Sequence, residues 1–273
     1  LPEHLSADVC SLKEGELRET FAVEMFFNSS GVKTKHRFIR GKMRSAAKPS
    51  YRQAQDAIDG RPDDKTQPLL ESVLKPLWDS YWCVDKARKG RAPLDLDLPE
   101  RRVRIGEDGK IASISLRERF DAHRLIEEFM IQANVCAAET LEDKRSPLVY
   151  RVHEEPSEEK VNALSNFLPT IGLKWTRGEK ITGSRFNRLL ADVKSSENEH
   201  LVNEMVLRTQ AQARYAHENL GHFGLNLLKY AHFTSPIRRY SDLIVHRALI
   251  RALGLGPDGM TDQDRVRLEE MAE

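Results

Sequence analysis

Cysteine is scarce in this sequence: Cys10, Cys83 and Cys136 are the three in 273 residues, with no Cys-x-x-Cys pair and no closely spaced histidines beside them. That excludes a disulfide framework and a zinc-finger type of site, and points to reduced, mostly buried thiols in the cytoplasm. Long apolar runs are missing too. No stretch approaches the roughly 20 residues that a membrane-spanning helix needs, and no secretory leader is visible. An excess of either charge is also absent, since 43 Lys and Arg against 42 Asp and Glu leave a net charge of +1. A bulk polycation is thereby excluded, and any nucleic-acid site must be a local concentration of charge.

What is present supports a folded core: 40% of the residues are hydrophobic, in the ordinary range for a globular chain. The chain starts at Leu1-Pro2-Glu3 without Met and stops at Ala272-Glu273 inside a helical stretch, which suggests a piece of a longer protein. Leu17 to Phe27 and Val32 to Met43 flank the turn-forming Asn28-Ser29-Ser30-Gly31 and read as a β-hairpin. Ser50 is placed to cap a short helix from Tyr51 to about Asp59, closed by Gly60. Leu70, Leu74, Leu77, Tyr81 and Val84 recur at helical spacing, and Pro76 either kinks that helix or marks its start. A second hairpin is expected around Glu107-Asp108-Gly109-Lys110. Further helices are expected over about 120–141, with Ile126, Phe129, Ala133 and Ala137 on one face, and from Pro156, over 184–193 and over 197–215. A short strand is expected from Leu148 to Val152. The fold class is α+β, a single domain with hairpins near the N-terminus and a helix-rich C-terminal half.

Two features stand out chemically. Between Met25 and Gln55 there is no acidic residue, while Lys33, Lys35, Arg37, Arg40, Lys42, Arg44, Lys48 and Arg52 all fall there. On a regular strand Lys33, Lys35 and Arg37 share one face. Such a strip either tracks the phosphates of an RNA strand or protects an open sheet edge with lysines. The second feature is the run Tyr230-Ala231-His232-Phe233-Thr234-Ser235-Pro236-Ile237-Arg238-Arg239-Tyr240-Ser241-Asp242. With Thr234 or Ser235 as cap and Pro236 in the first turn, a helix would begin here and offer free N–H groups beside two guanidinium groups. That combination suits a backbone phosphate. The plainer reading is a pair of surface arginines at an ordinary helix start.

That run, preceded by Gly221-His222-Phe223-Gly224-Leu225 and followed by His246-Arg247, resembles the catalytic (RNB) domain of the ribonuclease II and ribonuclease R family. Leu5-Ser6-Ala7-Asp8-Val9-Cys10-Ser11-Leu12, the stretch from Asp121 to Ile131 with Ala133-Asn134, and Tyr150-Arg151-Val152-His153 agree in the same order. Arg44-Ser45-Ala46-Ala47 and the tail Ala248 to Gly254 look most like the bacterial ribonuclease R branch.

The resemblance implies a partial RNB domain over 1–273, from a cytoplasmic 3′-to-5′ exoribonuclease that degrades single-stranded RNA processively to nucleoside 5′-monophosphates. It implies a two-metal magnesium centre on aspartates that in family order precede Leu1, so no residue of this chain is expected to hold the metal, and the family's OB-fold domains also lie outside it. Arg238 matches an arginine on the reacting phosphate. Arg239 is a weaker candidate for a neighbouring phosphate. Tyr51 matches a tyrosine that influences product length, against the alternative of a core aromatic. Glu127 matches a carboxylate that reads the RNA sugar, against the alternative of a solvated charge. Leu96 falls where the family commonly has an aromatic that clamps terminal bases. Two other readings stay open: a catalytically silent RNA-binding relative, and a structural domain with coincidental motifs.

Overall fold

The computed structural model describes residues 2–96, 98, 101–106, 109–116, 118–268 and 270, those at 101 and 102 by backbone alone. Glu107 and Asp108 of the expected second turn, Asp97 and Pro99 beside Leu96, and Ala272 and Glu273 lie outside the described residues.

The first expected hairpin forms from β1 (Leu17–Phe27) and β2 (Lys33–Arg44), paired antiparallel along their length. The Asn28 carboxamide oxygen accepts the N–H groups of Ser30 and Val32, both at 3.0 Å, and shapes the turn. Thr34 has no partner in the ladder: Phe26 faces Lys35 and Phe27 faces Lys33, which makes a bulge. The extra residue corrects the expectation that Lys33, Lys35 and Arg37 share a face. Lys35 and Arg37 keep the outer face with Phe26 and Glu24, whereas Lys33 turns to the core face with His36 and Phe38.

Ser50 caps α1 (Tyr51–Ile58) through a capping box completed by Gln53. The next helical pattern divides at Pro76: a 3₁₀ turn (Gln67–Leu69) and a wider π turn (Leu70–Leu74) come first, and α2 (Lys75–Arg91) starts with Pro76 in its first turn. A second ribbon, β3 (Arg101–Ile105) with β4 (Ile111–Leu116), follows. Its register aligns Val103, Ile105, Ile111, Ile114 and Leu116 on one face, each at least half exposed.

The spine of the structure is α3 (Asp121–Asp143). Its N-terminal half packs with α1 and α2 around Trp78, Tyr81 and Leu125. Its C-terminal half packs against β1, β2 and the later elements around Cys136, Ala137 and Leu141. Of the expected face, Ala133 and Ala137 are buried and Phe129 is half-buried, but Ile126 is exposed, and in the first turns Leu125 and Glu128 face inward instead. β5 (Tyr150–Val152) follows, then α4 (Glu158–Phe167), α5 (Gly183–Asp192) and α6 (Glu199–Thr209), which share a separate core around Phe186 and Val202.

The expected helix to Tyr215 ends instead at Thr209. Gln210 is extended, and β6 (Arg214–Ala216) pairs with β5. Three residues are too few for an alternation pattern to register in sequence. α7 (Tyr240–Leu253) and the short α8 (Asp262–Val266) complete the chain. No helix among the described residues is long and apolar enough to cross a membrane. Of the thiols only Cys136 is buried; Cys83 is half-buried, and Cys10 is exposed because the turn before it, His4–Val9, buries nothing.

Gly31 docks the first hairpin against α2. It has φ +75°, and a Cβ there would stand 2.0 Å from the Cys83 carbonyl oxygen. Gly31→Ala should therefore cost at least about 2 kcal/mol, combining left-handed backbone strain with a backbone clash. Urea unfolding measures this, and a loss under about 0.5 kcal/mol would mean that the hairpin is not held at this contact.

Candidate nucleic-acid interface

The arginine-bearing loop is tied down from both sides. On the α3 side, Asn134 donates from Nδ2 to the Tyr230 hydroxyl at 3.0 Å and accepts the Phe233 N–H at 2.8 Å. On the α7 side, His246 donates from Nε2 to the Phe233 carbonyl at 2.7 Å, its ring stacked on Phe233 at 4.4 Å. Asp242, with 0% exposure, accepts the Ser235 N–H at 2.7 Å and Nη2 of Arg239 at 2.8 Å.

The expected proline-started helix is therefore corrected. Ser235 to Arg238 form a single turn in which the Ser235 carbonyl accepts two N–H groups, and the helix begins only at Tyr240. Arg239 is extended and cannot continue a helix, while the Asp242 carboxylate already occupies the first turn of α7. Free helix N–H groups thus add little to an anion site here, and the cationic contact rests on side chains. The two arginines differ: Arg239 is held inward by Asp242, whereas Arg238 is exposed and its guanidinium bonds to no described residue.

Gly221 to Leu225 serves architecture. His153 of the β5 edge accepts the Gly224 N–H at Nδ1 and donates from Nε2 to the Ala211 carbonyl, both at 2.9 Å. A Cβ at Gly224 would lie 2.7 Å from that ring nitrogen, which explains the glycine. His222 accepts the Leu225 N–H at 3.1 Å. Burial, helped by His153, lowers the His222 pKa to about 3. Burial, helped by Arg239, lowers that of His232 to about 4.

A second feature is a cleft of about 510 Å³ between α2, the segment Pro93 to Leu96, and the start of α3. It brings Leu96 and Glu127 together. Glu127 is exposed at its rim and pairs with Arg119 at 2.5 Å. Leu96 also packs on the core of α4 to α6, so only part of it is free for a ligand. The neighbouring Glu128, absent from the expected set, is 2% exposed on the cleft floor. Its Oε1 accepts from Gln132 at 2.9 Å, while Oε2 has no hydrogen bond and Arg88 and Arg91 stand at 3.7 and 3.6 Å. Burial pushes its carboxyl above the usual range, against the pull of Gln132 and the arginines. A glutamate in register with Leu125 and Ile131 was the available signal. Tyr230 joins cleft and loop, since Arg239, Asp242 and Glu128 are all near enough to influence its hydroxyl.

The other expected residues lie apart from the cleft. Tyr51 is a surface ring at 44% exposure rather than a core aromatic, stacked on His123 at 4.1 Å. The basic strip is largely neutralised: Lys33 pairs with Glu139 at 2.5 Å, Arg40 with Asp258 at 2.6 Å, and Arg37 with Glu24. Lys35, Arg44 and Lys48 have no acidic partner among the described residues; Lys35 lies over the Phe26 ring at 5.7 Å. No group of three or more His, Cys, Asp or Glu among the described residues could hold a metal ion.

The RNB domain family matches residues 1–254. Ribonuclease R of Aquifex aeolicus is 42% identical over 254 residues, 93% of this chain but 36% of its own length. The structure resembles Mycoplasma genitalium RNase R, solved with ribose-methylated single-stranded RNA, at a TM-score of 0.91 and 28% identity, covering 100% of this chain and 43% of that one. The same protein has been solved with double-stranded RNA. The fold is shared with a yeast pseudonuclease at a TM-score of 0.73 and 19% identity, over 100% of this chain and 33% of that one. The chain thus spans about a third of the length of its curated relative.

The buried imidazoles set a pH dependence. Above about pH 7 His222 and His232 are neutral in both states and contribute no slope. Below the ordinary value of 6.5 the unfolded chain binds protons that the folded rings, at about 3 and 4, refuse. Stability should therefore fall with pH, by about 1.4 kcal/mol per unit for each ring, or roughly 2–3 kcal/mol from pH 6 to 5. Urea titrations at the two pH values check it, and equal midpoints would contradict the burial of these rings.

Proposed function

The chain belongs to the RNB domain family with ribonuclease R among its relatives, and on that premise we propose that it is the RNA-gripping part of a processive 3′-to-5′ exoribonuclease. The parent protein hydrolyses single-stranded RNA to nucleoside 5′-monophosphates in the cytoplasm. The observation that carries the reading is Arg238: an exposed guanidinium with no partner among the described residues, on a loop held by a buried carboxylate and a buried amide.

In this reading Arg238 holds two oxygens of the reacting phosphate and offsets the charge that builds there. Arg239 keeps the loop in place through Asp242 and adds its field to a neighbouring phosphate. The cleft receives the 3′ end. Glu127 at the rim and Glu128 on the floor are the acceptors for sugar hydroxyls, which suits RNA because DNA lacks the 2′-OH. Leu96 presses on a terminal base, Tyr51 borders the approach, and Lys35 and Arg37 follow phosphates further out, with Lys33 bracing the hairpin on α3. The family's magnesium does not fit the residues described here. Its aspartate ligands would precede Leu1 in the parent protein, and the OB-fold domains would lie outside the chain. The alternative, a catalytically silent binder, shares every one of these contacts and differs only in those aspartates.

Two outcomes are expected. The chain by itself should bind 3′-labelled single-stranded RNA yet release no mononucleotide at any magnesium concentration, as thin-layer separation of products would show; release would refute the division of labour. In the full-length protein, Arg238→Lys should lower kcat by about 10²–10³, the usual loss for one preorganised electrostatic donor, with a much smaller change in RNA affinity. The matching change at Arg239 should be milder. An unchanged kcat with weaker binding would make Arg238 a positioning contact only.

A further inference from the structure

Trp82 lies on α2 one position off the stripe that faces the core. Trp78, Tyr81 and Val84 on that helix are buried, but Trp82 is 47% exposed and lines the same cleft as Leu96, Glu127 and Glu128. The buried Tyr81 ring backs it at 4.8 Å, and its indole N–H has no hydrogen-bond partner among the described residues. A large aromatic surface supported from behind and open in front is costly to leave against water unless something covers it.

The rest of the cleft states what that cover is. Arg88, Lys89 and Arg124 on its walls pair with Asp85 and Asp121 yet keep further donors that suit phosphate, and the unsatisfied Oε2 of Glu128 on its floor suits a hydroxyl donor. An apolar peptide would leave Oε2 of Glu128 unpaired, whereas a nucleotide supplies hydroxyl and ring together, with a phosphate that can share cations already paired to Asp85 and Asp121. Leu96 has no π-face, so Trp82 is the one described residue of the cleft that offers an exposed aromatic face; Tyr81 is buried. We infer that Trp82 is the base-stacking residue of the cleft, supplying the aromatic platform that Leu96 cannot. This rests on the RNA-gripping reading above.

Stacking on an aromatic ring tolerates every base and contributes through the base, not the phosphate. The test uses the 273-residue chain and a short single-stranded oligoadenylate. Trp82→Ala should weaken binding by about 10- to 100-fold with an unchanged salt slope. Trp82→Phe should keep affinity within about threefold and abolish the RNA-induced quenching of tryptophan emission. Making the 3′-terminal nucleotides abasic should weaken binding to the wild type by the same factor and leave Trp82→Ala unaffected. Equal affinity of the wild type and Trp82→Ala, or quenching that survives Trp82→Phe, overturns the stacking role while leaving the RNA grip standing. A wild-type chain that binds no RNA at all overturns the RNA-gripping reading, and this inference with it.

Discussion

Asp242 is a carboxylate wholly withdrawn from water, and a lone charge in that position would cost several kcal/mol. The cost is offset because the Ser235 N–H, the Arg239 guanidinium and the Ser241 hydroxyl all donate to it. Those donors belong to the segment that carries Arg238, so satisfying one buried charge also determines the path of the loop. Asn134 completes the arrangement from α3. The loop then sits in a fixed place relative to two long helices, and removing either polar group would leave its own partners on the loop unsatisfied. The adjacent arginines differ accordingly: Arg239 neutralises the interior charge, and Arg238 is exposed with no acidic partner among the described residues.

Polarity in the cleft is arranged differently. Arg88 is shared among Asp85, Asp95 and Glu128 at 3.9, 3.6 and 3.7 Å, and Arg91 faces Glu128 at 3.6 Å. These separations give Coulomb attraction without good hydrogen bonds. Acceptor and donor capacity therefore remains open for a ligand or an ordered water. Acids and bases are nearly matched, which is how a chain of net charge +1 can hold a strongly polar cavity.

Local chemistry made much of this legible. Ser50 and the Asn28 turn announce an element boundary through their own hydrogen bonding, Pro76 does so through its fixed φ and missing N–H, and the elements start there. The family was legible because motifs such as those around Arg238 follow one another in its order. The failures share one cause, namely partners distant in sequence. Lys33 left its expected row because Cys136 and Glu139 of α3 lie beneath a bulge. The helix at Pro236 was displaced because Asp242 reaches back seven residues. Glu128 and Trp82 were overlooked because only the packing of α2 on α3 shows that one is sheltered and the other open. The basic strip looked free because its acids, Glu24, Glu139 and Asp258, lie outside the window that defined it.

The β3–β4 ribbon bears on how such a chain behaves in solution. It has two strands, both edges open among the described residues, and a continuous aliphatic row on one face. An isolated two-stranded ribbon is marginal in water, and exposed β-branched rows with free edges recruit further strands. Short segments of this kind, rich in isoleucine and valine, are the usual seeds of cross-β assembly. Colloidal behaviour, and the temperature at which the chain begins to self-associate, would then be governed by these few ribbon residues rather than by the cores that hold the fold together.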